Sequence, residues 1–358
     1  MQNESIFLKV FLSKHNLDFF MTFENELNLS NFYINRLNSA VNYWEPLQVT
    51  DFLVVDPESI QKNKILKKII ESHTNNGGYI IYFEPAEGTT LFKRHLQIFK
   101  ENVLKNFVIV SCASFNSQNF KDFLLLNHLF YSYTTYDWNL SCCSQYSEEV
   151  INARNKKYSF NLLNMKYRYH RSYIVDKLKE NKSLDNAVWS QVYKGIYLAD
   201  EMNDAFHKAQ TRQSDGSDKV KINPLLYLQS YFSVVTETNY EHQEQFFTEK
   251  ITKPLLMGHP FVVVANKNFY KFLHNEGFKT FNNLIDESFD SIDNHQDRFN
   301  RIAEVIKELV NSDLNQFLTE TEAIVRYNKD LLLEKAENYF KNLNKDVVNF
   351  LNRVKAYH

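Results

Sequence analysis

The sequence predicts an α/β fold built from two domains. Two observations lead to this prediction. Short apolar runs alternate with segments of helical periodicity, and the chain has 358 residues, of which 44% are hydrophobic. A chain of this length is too long for a domain with a single small hydrophobic core, and its apolar residues are numerous enough to form two cores.

The sequence pattern of the first part of the chain predicts strands that are joined by helices. The runs 51–56, 79–83 and 107–112 are short and largely apolar, as parallel strands covered on both faces are. The segments 58–73 and 90–104 between them carry apolar residues at helical spacing. This strand–helix–strand rhythm predicts right-handed βαβ units.

A polar and charged segment, 144–157, marks the predicted boundary between the domains. We expect a first domain at 1–150, a second at 151–328 and a C-terminal helix within 329–358 that packs across both. The helix is predicted because apolar residues recur at helical intervals over 329–355, so that one apolar face can pack.

The second domain repeats the alternation of strands and helices. The predicted elements are a strand at 158–163, a helix at 170–180, a strand at 226–235, a helix that opens at Glu249 and stops at Gly258, a strand at 261–265 and a helix at 297–310. The segment 203–223 has no periodicity and contains a Ser/Asp/Gly run, so it is predicted to be a loop.

Composition and missing motifs narrow the function classes. The net charge of −2 gives no general attraction to nucleic acid or to an anionic membrane, and three cysteines supply no disulfide framework. No signal peptide and no apolar run of about 20 residues is visible, so we expect a cytoplasmic protein without a transmembrane segment. P-loop, dinucleotide, serine-hydrolase, zinc and D-x-D motifs are absent, which leaves α/β enzymes that hold phosphate with side chains and helix amides.

The segment around Thr248 predicts an anion site at the start of a helix. Thr248 is a good N-cap residue, and Glu249 and Lys250 follow in the first turn. A lysine there opposes the helix dipole, which is explained if an anion such as a diphosphate binds between the free amides and the ammonium. The alternative is a solvated lysine on an ordinary capped helix.

Two further groups of side chains follow predicted strands. Glu237 comes after the strand at 226–235, where ligands of open α/β sheets collect, and a carboxylate can accept bonds from both ribose hydroxyls. Arg168 and Arg171 open the helix after the strand at 158–163, and their spacing puts them on one face. Guanidinium groups can bind two phosphate oxygens at once. The alternatives are weak surface ion pairs for Glu237, and a solvated basic turn or a patch for an acidic partner for the two arginines.

These segments resemble the donor-binding region of GT-B-type glycosyltransferases. The run Phe247-Thr-Glu-Lys250 with Pro254, Gly258 and the following apolar strand is similar to the α1,3-fucosyltransferase motif and to related bacterial and viral glycosyltransferases. Three further segments carry the resemblance, and they occur in the same order as in those glycosyltransferases: Leu163–Arg171, Gly277–Phe281 and Ile285–Asp290.

The resemblance implies a GT-B fold, in which two Rossmann-like domains face a central cleft and the last helix crosses back to the N-terminal domain. It implies that Arg171 and Lys250 hold the diphosphate of a nucleotide-sugar donor, such as a UDP- or GDP-sugar, and that Glu249 meets the ribose. Arg168, Glu237 and Thr248 join them as donor-binding candidates. The implied reaction is metal-independent transfer of a hexosyl or fucosyl group to an acceptor hydroxyl, inverting rather than retaining, without a cofactor.

An inverting transfer needs a base that deprotonates the acceptor hydroxyl. Glu84, directly after the strand at 79–83, is the first candidate and Glu87 the second; Asp56 and His128 are further candidates. Two other functions stay open. One is a transferase acting on nucleic acid, with lysines in 62–68 as a phosphate-binding patch, and the other is a non-catalytic module that binds a nucleotide sugar or glycan.

Overall fold

The computed structural model describes residues 8–11, 33–34, 52–55, 71, 74–75, 79–84, 107–111, 123–125, 130–164, 167–193, 196–199, 222–238, 240–241, 245 and 247–357. The chain divides into two compact units, one made of Met1–Phe130 and Tyr339–His358 and the other of Tyr131–Asn338. Each unit has its own sheet, so the protein is a mixed α/β protein, as predicted.

The first unit has a parallel sheet. Its strands are β1 (Leu8–Phe11), β2 (Tyr33–Ile34), β3 (Phe52–Val55), β4 (Tyr79–Glu84), β5 (Phe107–Ser111) and β6 (Phe123–Leu125). Their order across the sheet is β2-β1-β3-β4-β5-β6, and every neighbouring pair is parallel. The predictions of β3, β4 and β5 are confirmed, whereas the helices predicted at 58–73 and 90–104 fall largely outside the described residues.

The second unit alternates helices and strands. In chain order its elements are α1 (Phe130–Asn152), β7 (Tyr158–Leu163), α2 (Tyr169–Glu180), β8 (Ala187–Tyr193), β9 (Ile196–Ala199), α3 (Pro224–Gln229), β10 (Ser230–Thr236), α4 (Glu249–Met257), β11 (Phe261–Val264), α5 (Phe269–Asn275), α6 (His295–Val310) and α7 (Leu314–Tyr357). Among the helices that the structure describes, none has the length and apolar character needed to span a bilayer.

The second sheet has a reversal of strand order at its centre. The order is β11-β10-β7-β8-β9, with parallel pairing throughout except between β8 and β9, which are antiparallel. The chain moves from β7 outward to β8 and β9, and it returns to the other side of β7 with β10. The gap between β7 and β10 is therefore a topological switch point, where open α/β sheets bind ligands beyond the carboxyl ends of their strands.

The central strands of this sheet are buried. Every residue of β10 and β11 is buried. Phe160 of β7 and Phe232 of β10 place their ring centroids 5.3 Å apart, and Phe232 also meets Phe317 of α7 at 6.4 Å. This packing gives the carboxyl ends of β7 and β10 a rigid support.

The strand predicted at 226–235 is wrong in its first half. The side chain of Asn223 accepts a hydrogen bond from the backbone N–H of Leu225, and Pro224 occupies the first helical position. Both features start a helix, so Pro224–Gln229 is helical and the strand begins only at Ser230. The strands β8 and β9 were not predicted at all.

The units also divide at a different place from the predicted boundary at residue 150. The polar segment 144–157 lies largely within the helix α1, and the division falls between Phe130 and Tyr131. The C-terminal helix begins earlier than predicted, at Leu314, and its residues from Tyr339 onward group with the first unit.

The helix α4 begins and ends where the sequence predicts. The hydroxyl of Thr248 accepts a hydrogen bond from the backbone N–H of Lys250 at 3.2 Å. Gly258 stops the helix in the left-handed conformation with φ 62°, and its N–H donates to the carbonyl of Leu255 at 3.2 Å.

Replacing Gly258 by Ala is expected to destabilise the protein by about 2 kcal/mol, because left-handed strain adds to a steric clash. A Cβ atom there would lie 2.5 Å from the side chain of Ile151. Gly277→Ala is the control, because Gly277 also has a positive φ, 89°, but its nearest atom is 3.4 Å away. Urea denaturation should give the control a loss of about 1 kcal/mol; equal losses would contradict the tight packing of α1 on the end of α4.

Candidate functional site

Four segments of the second unit meet at the switch point. They are the carboxyl ends of β7 and β10 and the starts of α2 and α4. Thr236, at the end of β10, donates a hydrogen bond from its hydroxyl to the side-chain oxygen of Asn164, which follows β7. The N–H of Asn164 in turn donates to the carbonyl of Ser190 on β8 at 3.1 Å. The strand ends are thereby held in register beneath the two helix starts.

Arg171 brings a positive charge to this point from α2. Arg171 is only 5% exposed, and its Nη2 donates a hydrogen bond to the backbone carbonyl of Thr236 at 3.5 Å. Burial lowers the pKa of the guanidinium, while the carboxylates of Glu237 and Glu249 act in the opposite direction. A charge in such a low-dielectric setting acts more strongly on a neighbouring anion than it would in water.

Lys250 brings a second positive charge from the first turn of α4. Its ammonium donates to the carboxylate of Glu249 at 2.7 Å and to the hydroxyls of Thr238 and Thr248 at 3.3 Å each. The side chain is 26% exposed, so it can reach a ligand directly. The N–H of Lys250 is bonded to the hydroxyl of Thr248, and the positive end of the α4 dipole favours an anion beside it.

Glu237 directly follows β10 and is the buried acid of the site. The residue is 1% exposed, and its Oε2 accepts hydrogen bonds from the hydroxyl of Thr248 at 2.6 Å and from the N–H of Thr238 at 3.2 Å. Burial raises its pKa, and the nearby charge of Lys250 opposes that effect. Its carboxylate thus acts within the protein, where it ties the start of α4 to the end of β10.

The two cations predicted to bind one diphosphate therefore converge on one strand end. Arg171 contacts the backbone of Thr236, and Lys250 contacts the side chain of Thr238, two residues later. Both cations interact electrostatically with Glu237. Arg168 is exposed at the N-cap position of α2, where its charge acts on Arg171.

Glu249 is ionised next to Lys250. Burial raises its pKa, but the charge of Lys250 and the hydrogen bond from its ammonium outweigh that effect, so that the pKa of Glu249 lies below its usual value. Its side chain is 18% exposed. A partly exposed carboxylate at this point can accept hydrogen bonds from hydroxyl groups of a ligand.

His170 has a structural part in the site. Its Nε2 donates to the backbone carbonyl of Glu237 at 2.7 Å, which links α2 to the end of β10. Burial lowers the pKa of its ring to about 3, so the ring is neutral at physiological pH. The ring also packs against Tyr240 with centroids 4.7 Å apart.

Sequence reasoning missed the polar residues that organise the strand ends, namely Asn164, Thr236 and Thr238. Asn164 directly follows the buried strand β7, and that position was the available signal. The Nδ2 of Asn164 and the Oε1 of Glu237 are buried and have no hydrogen-bond partner within the protein. Buried polar atoms are normally paired, so a donor and an acceptor of this kind at one switch point favour a polar ligand or ordered water there.

The predicted catalytic bases belong to the first unit. Glu84 is the last residue of β4, paired in register with Ser111 of β5, as expected for a residue at a strand end. Glu87, Asp56 and His128 lie outside the described residues, as do the lysines in 62–68 that would carry the nucleic-acid alternative. Glu84 and Glu87 stay predictions.

The other segments of the resemblance have a structural explanation. Glu287 accepts hydrogen bonds from the hydroxyl of Thr280 at 2.6 Å and from the N–H of Phe281 at 2.8 Å, and burial raises its pKa to about 7. Asp290 caps α5 by accepting from the N–H groups of Tyr270 and Lys271. These carboxylates fold the loop that follows α5, so nothing in their contacts requires a ligand.

Comparison with known proteins adds no family to this description: no family model matches the chain, and no curated protein matches it. No group of three or more metal-ligating side chains occurs within the described part of the chain. The functional interpretation therefore depends on the geometry at the switch point.

Proposed function

We propose that the chain is a glycosyltransferase that moves a sugar from a nucleotide-diphosphate donor to an acceptor hydroxyl. The observation that carries the proposal is the convergence of Arg171 and Lys250, from two separate helices, on the carboxyl end of β10. The position at a topological switch point and the positive end of the α4 dipole support it.

The chemistry of sugar transfer accounts for this arrangement. The bond from the anomeric carbon to the diphosphate breaks, and negative charge grows on the leaving diphosphate. The ammonium of Lys250 would contact the charged diphosphate directly. The buried guanidinium of Arg171 would stabilise the same charge electrostatically. Fixed positive groups of this kind, aimed at a developing charge, are usually the largest contribution to catalysis.

The proposal includes the GT-B arrangement, with the donor on the second unit and the acceptor on the first. Glu249 would accept hydrogen bonds from the ribose hydroxyls. The acceptor hydroxyl would lose its proton to Glu84, the first candidate, or to Glu87, and the reaction would invert the anomeric centre. Side-chain cations would carry the charge-stabilising role, so the reaction would not need a metal ion.

Replacing Lys250 by Ala is expected to weaken the binding of nucleoside diphosphates by about 10- to 100-fold, because one charge-assisted contact to phosphate is lost. The measurement is a calorimetric titration with UDP and GDP, preceded by a thermal-shift screen of nucleoside diphosphates. Lys177→Ala is the matched control, since Lys177 also pairs with a glutamate at 2.7 Å but lies at the far end of α2.

Unchanged affinity in the Lys250 variant, or an equal loss in the Lys177 control, would refute the diphosphate site. Absence of binding by the parent protein to every nucleoside diphosphate in the screen would refute the proposed function as a whole.

A further inference from the structure

Three charged side chains lie near the start of α4. Glu249 and Lys250 are its first two residues, and Lys253 follows four positions after Glu249. The ammonium of Lys250 donates to the carboxylate of Glu249 at 2.7 Å, although consecutive residues of a helix do not face each other. Residues four apart do face each other, and an acid that precedes a lysine by four positions is the favourable order. Helical geometry therefore favours Lys253, rather than Lys250, as the partner of Glu249.

The carboxylate of Glu249 interacts with both ammonium groups. Burial raises the pKa of Glu249, but the charges of Lys250 and Lys253 and the hydrogen bond from Lys250 outweigh that effect. Burial lowers the pKa of Lys253 to about 8, whereas the charge of Glu249 acts in the opposite direction and that of Lys250 adds to the decrease. Lys253 is partly buried and carries its charge at pH 7. Two cations therefore share one carboxylate.

A bound phosphate changes how the two lysines share Glu249. Under the proposed function the ammonium of Lys250 contacts the diphosphate, so its bond to Glu249 weakens. The side chain of Glu249 is only 18% exposed, and leaving a charge without a partner in such a place is costly. Lys253 lies about 4.5 Å further along the axis of α4 than Lys250, away from the helix start where an anion binds. Its ammonium stays available to the carboxylate.

We propose that Lys253 is a positioning residue that takes over the carboxylate of Glu249 when a phosphate ligand takes the ammonium of Lys250. This inference rests on the proposed function and adds to it a residue that acts through Glu249 rather than on the ligand. Lys250 supplies the attraction for phosphate, and Lys253 makes Lys250 available by holding its competitor.

Removal of a positive charge near an anion site weakens binding even without such an exchange, so single variants do not test the inference. The two explanations differ in their dependence on Glu249. If Lys253 acts through Glu249, its replacement has no effect once the carboxylate is gone. If Lys253 attracts the ligand itself, its replacement has the same effect with and without the carboxylate. A double-mutant cycle separates these cases.

The test is a set of calorimetric titrations at pH 7 with inorganic pyrophosphate and with whichever of UDP and GDP binds the parent protein more tightly. The variants are Lys253→Met, Lys253→Arg, Glu249→Gln and the double variant with Glu249→Gln and Lys253→Met. Lys307→Met is the matched control, because it removes the same charge from an exposed position of α6. Folding of each variant is checked by thermal melting, and Lys253→Gln replaces Lys253→Met if the Met variant does not fold.

Lys253→Met is expected to bind both ligands about fivefold less tightly than the parent protein, because Lys250 then stays with Glu249. Lys253→Arg keeps the charge and should bind within about twofold of the parent. In the Glu249→Gln background, the further change Lys253→Met should alter either affinity by less than about twofold, because no carboxylate competes for Lys250. The Lys307→Met control should change neither affinity.

Three results would overturn the inference and leave the proposed function intact. They are parent-like binding by folded Lys253→Met, an equal loss of affinity from Lys253→Met in both backgrounds, and a loss in Lys253→Arg as large as that in Lys253→Met. The second result would mean that Lys253 attracts the ligand itself. A parent protein that binds neither pyrophosphate nor either nucleotide would refute the proposed function and the inference together.

Discussion

Replacing Arg171 by Met is expected to lower the rate of donor hydrolysis by about 10³-fold, the typical cost of losing one preorganised group that stabilises developing charge. Hydrolysis of the nucleotide sugar by water needs no acceptor, so it can be measured before the acceptor is known. The effect should be larger on kcat than on donor binding, because the charge on the leaving diphosphate grows only in the transition state.

The burial of Arg171 makes a folding control necessary. The residue is 5% exposed and contacts the carbonyl of Thr236, so Arg171→Met also removes contacts within the protein. Arg171→Lys keeps the charge but loses the planar fork, and it should retain the thermal stability better while lowering the rate about 100-fold. Arg301→Met, in an exposed ion network on α6, should hydrolyse the donor at the parent rate. Parent-like hydrolysis by folded Arg171→Met would contradict the assigned role.

Replacing Lys156 by Met is expected to change how stability depends on pH. The ammonium of Lys156 donates to the carbonyls of Val150 and Tyr227 at 3.1 and 2.8 Å, which joins the ends of α1 and α3. Burial lowers the pKa of Lys156 to about 7, and the charge of Arg154 adds to that effect.

The sign of the pH effect follows from the direction of this shift. Between the folded pKa of about 7 and the usual value of 10.5, the unfolded chain binds more protons at Lys156 than the folded protein does. The contribution of Lys156 to stability therefore rises as the pH increases through this window, and its penalty is complete below pH about 7. The Met variant has no such titration.

Urea denaturation of both proteins at several pH values measures the difference. The free energy of unfolding of the parent should rise relative to Lys156→Met by about 4 kcal/mol between pH about 6.5 and pH about 10. Lys307→Met, at an exposed position of α6, should track the parent at every pH. A constant difference between the parent and Lys156→Met would show that Lys156 keeps its ordinary pKa in the folded protein.

The elements with strong local signals were predictable from sequence. The strand β7 and the helix α4 were predicted with their observed boundaries, because an apolar run marks the first and Thr248 and Gly258 bound the second. The start of β10 was misplaced, because the apolar run from Leu226 continues through a short helix whose only signals are Asn223 and Pro224. Local apolar character alone does not separate a buried helix from a strand.

The charged residues of the candidate site were predictable from the sequence, but the hydrogen bonds that hold the strand ends and helix starts together were not. Arg171 and Lys250 were singled out because each opens a helix after a strand, and parallel strands bring their carboxyl ends to one edge. The hydrogen bond between Thr236 and Asn164 joins residues that are 72 positions apart. This contact depends on the strand order β10-β7, which the sequence pattern does not contain. The bond between Glu237 and Thr248 spans the loop from β10 to α4, whose conformation the sequence pattern does not contain either.

The central claim is that one diphosphate binds where Arg171 and Lys250 converge. The most direct test is a crystal structure of the protein with the nucleoside diphosphate that binds most tightly. We expect the diphosphate beyond the carboxyl ends of β7 and β10, in hydrogen-bonding contact with Lys250 and beside Arg171, and the ribose hydroxyls on Glu249. A diphosphate bound at any other edge of the sheet, with Lys250 still paired to Glu249, would contradict the claim.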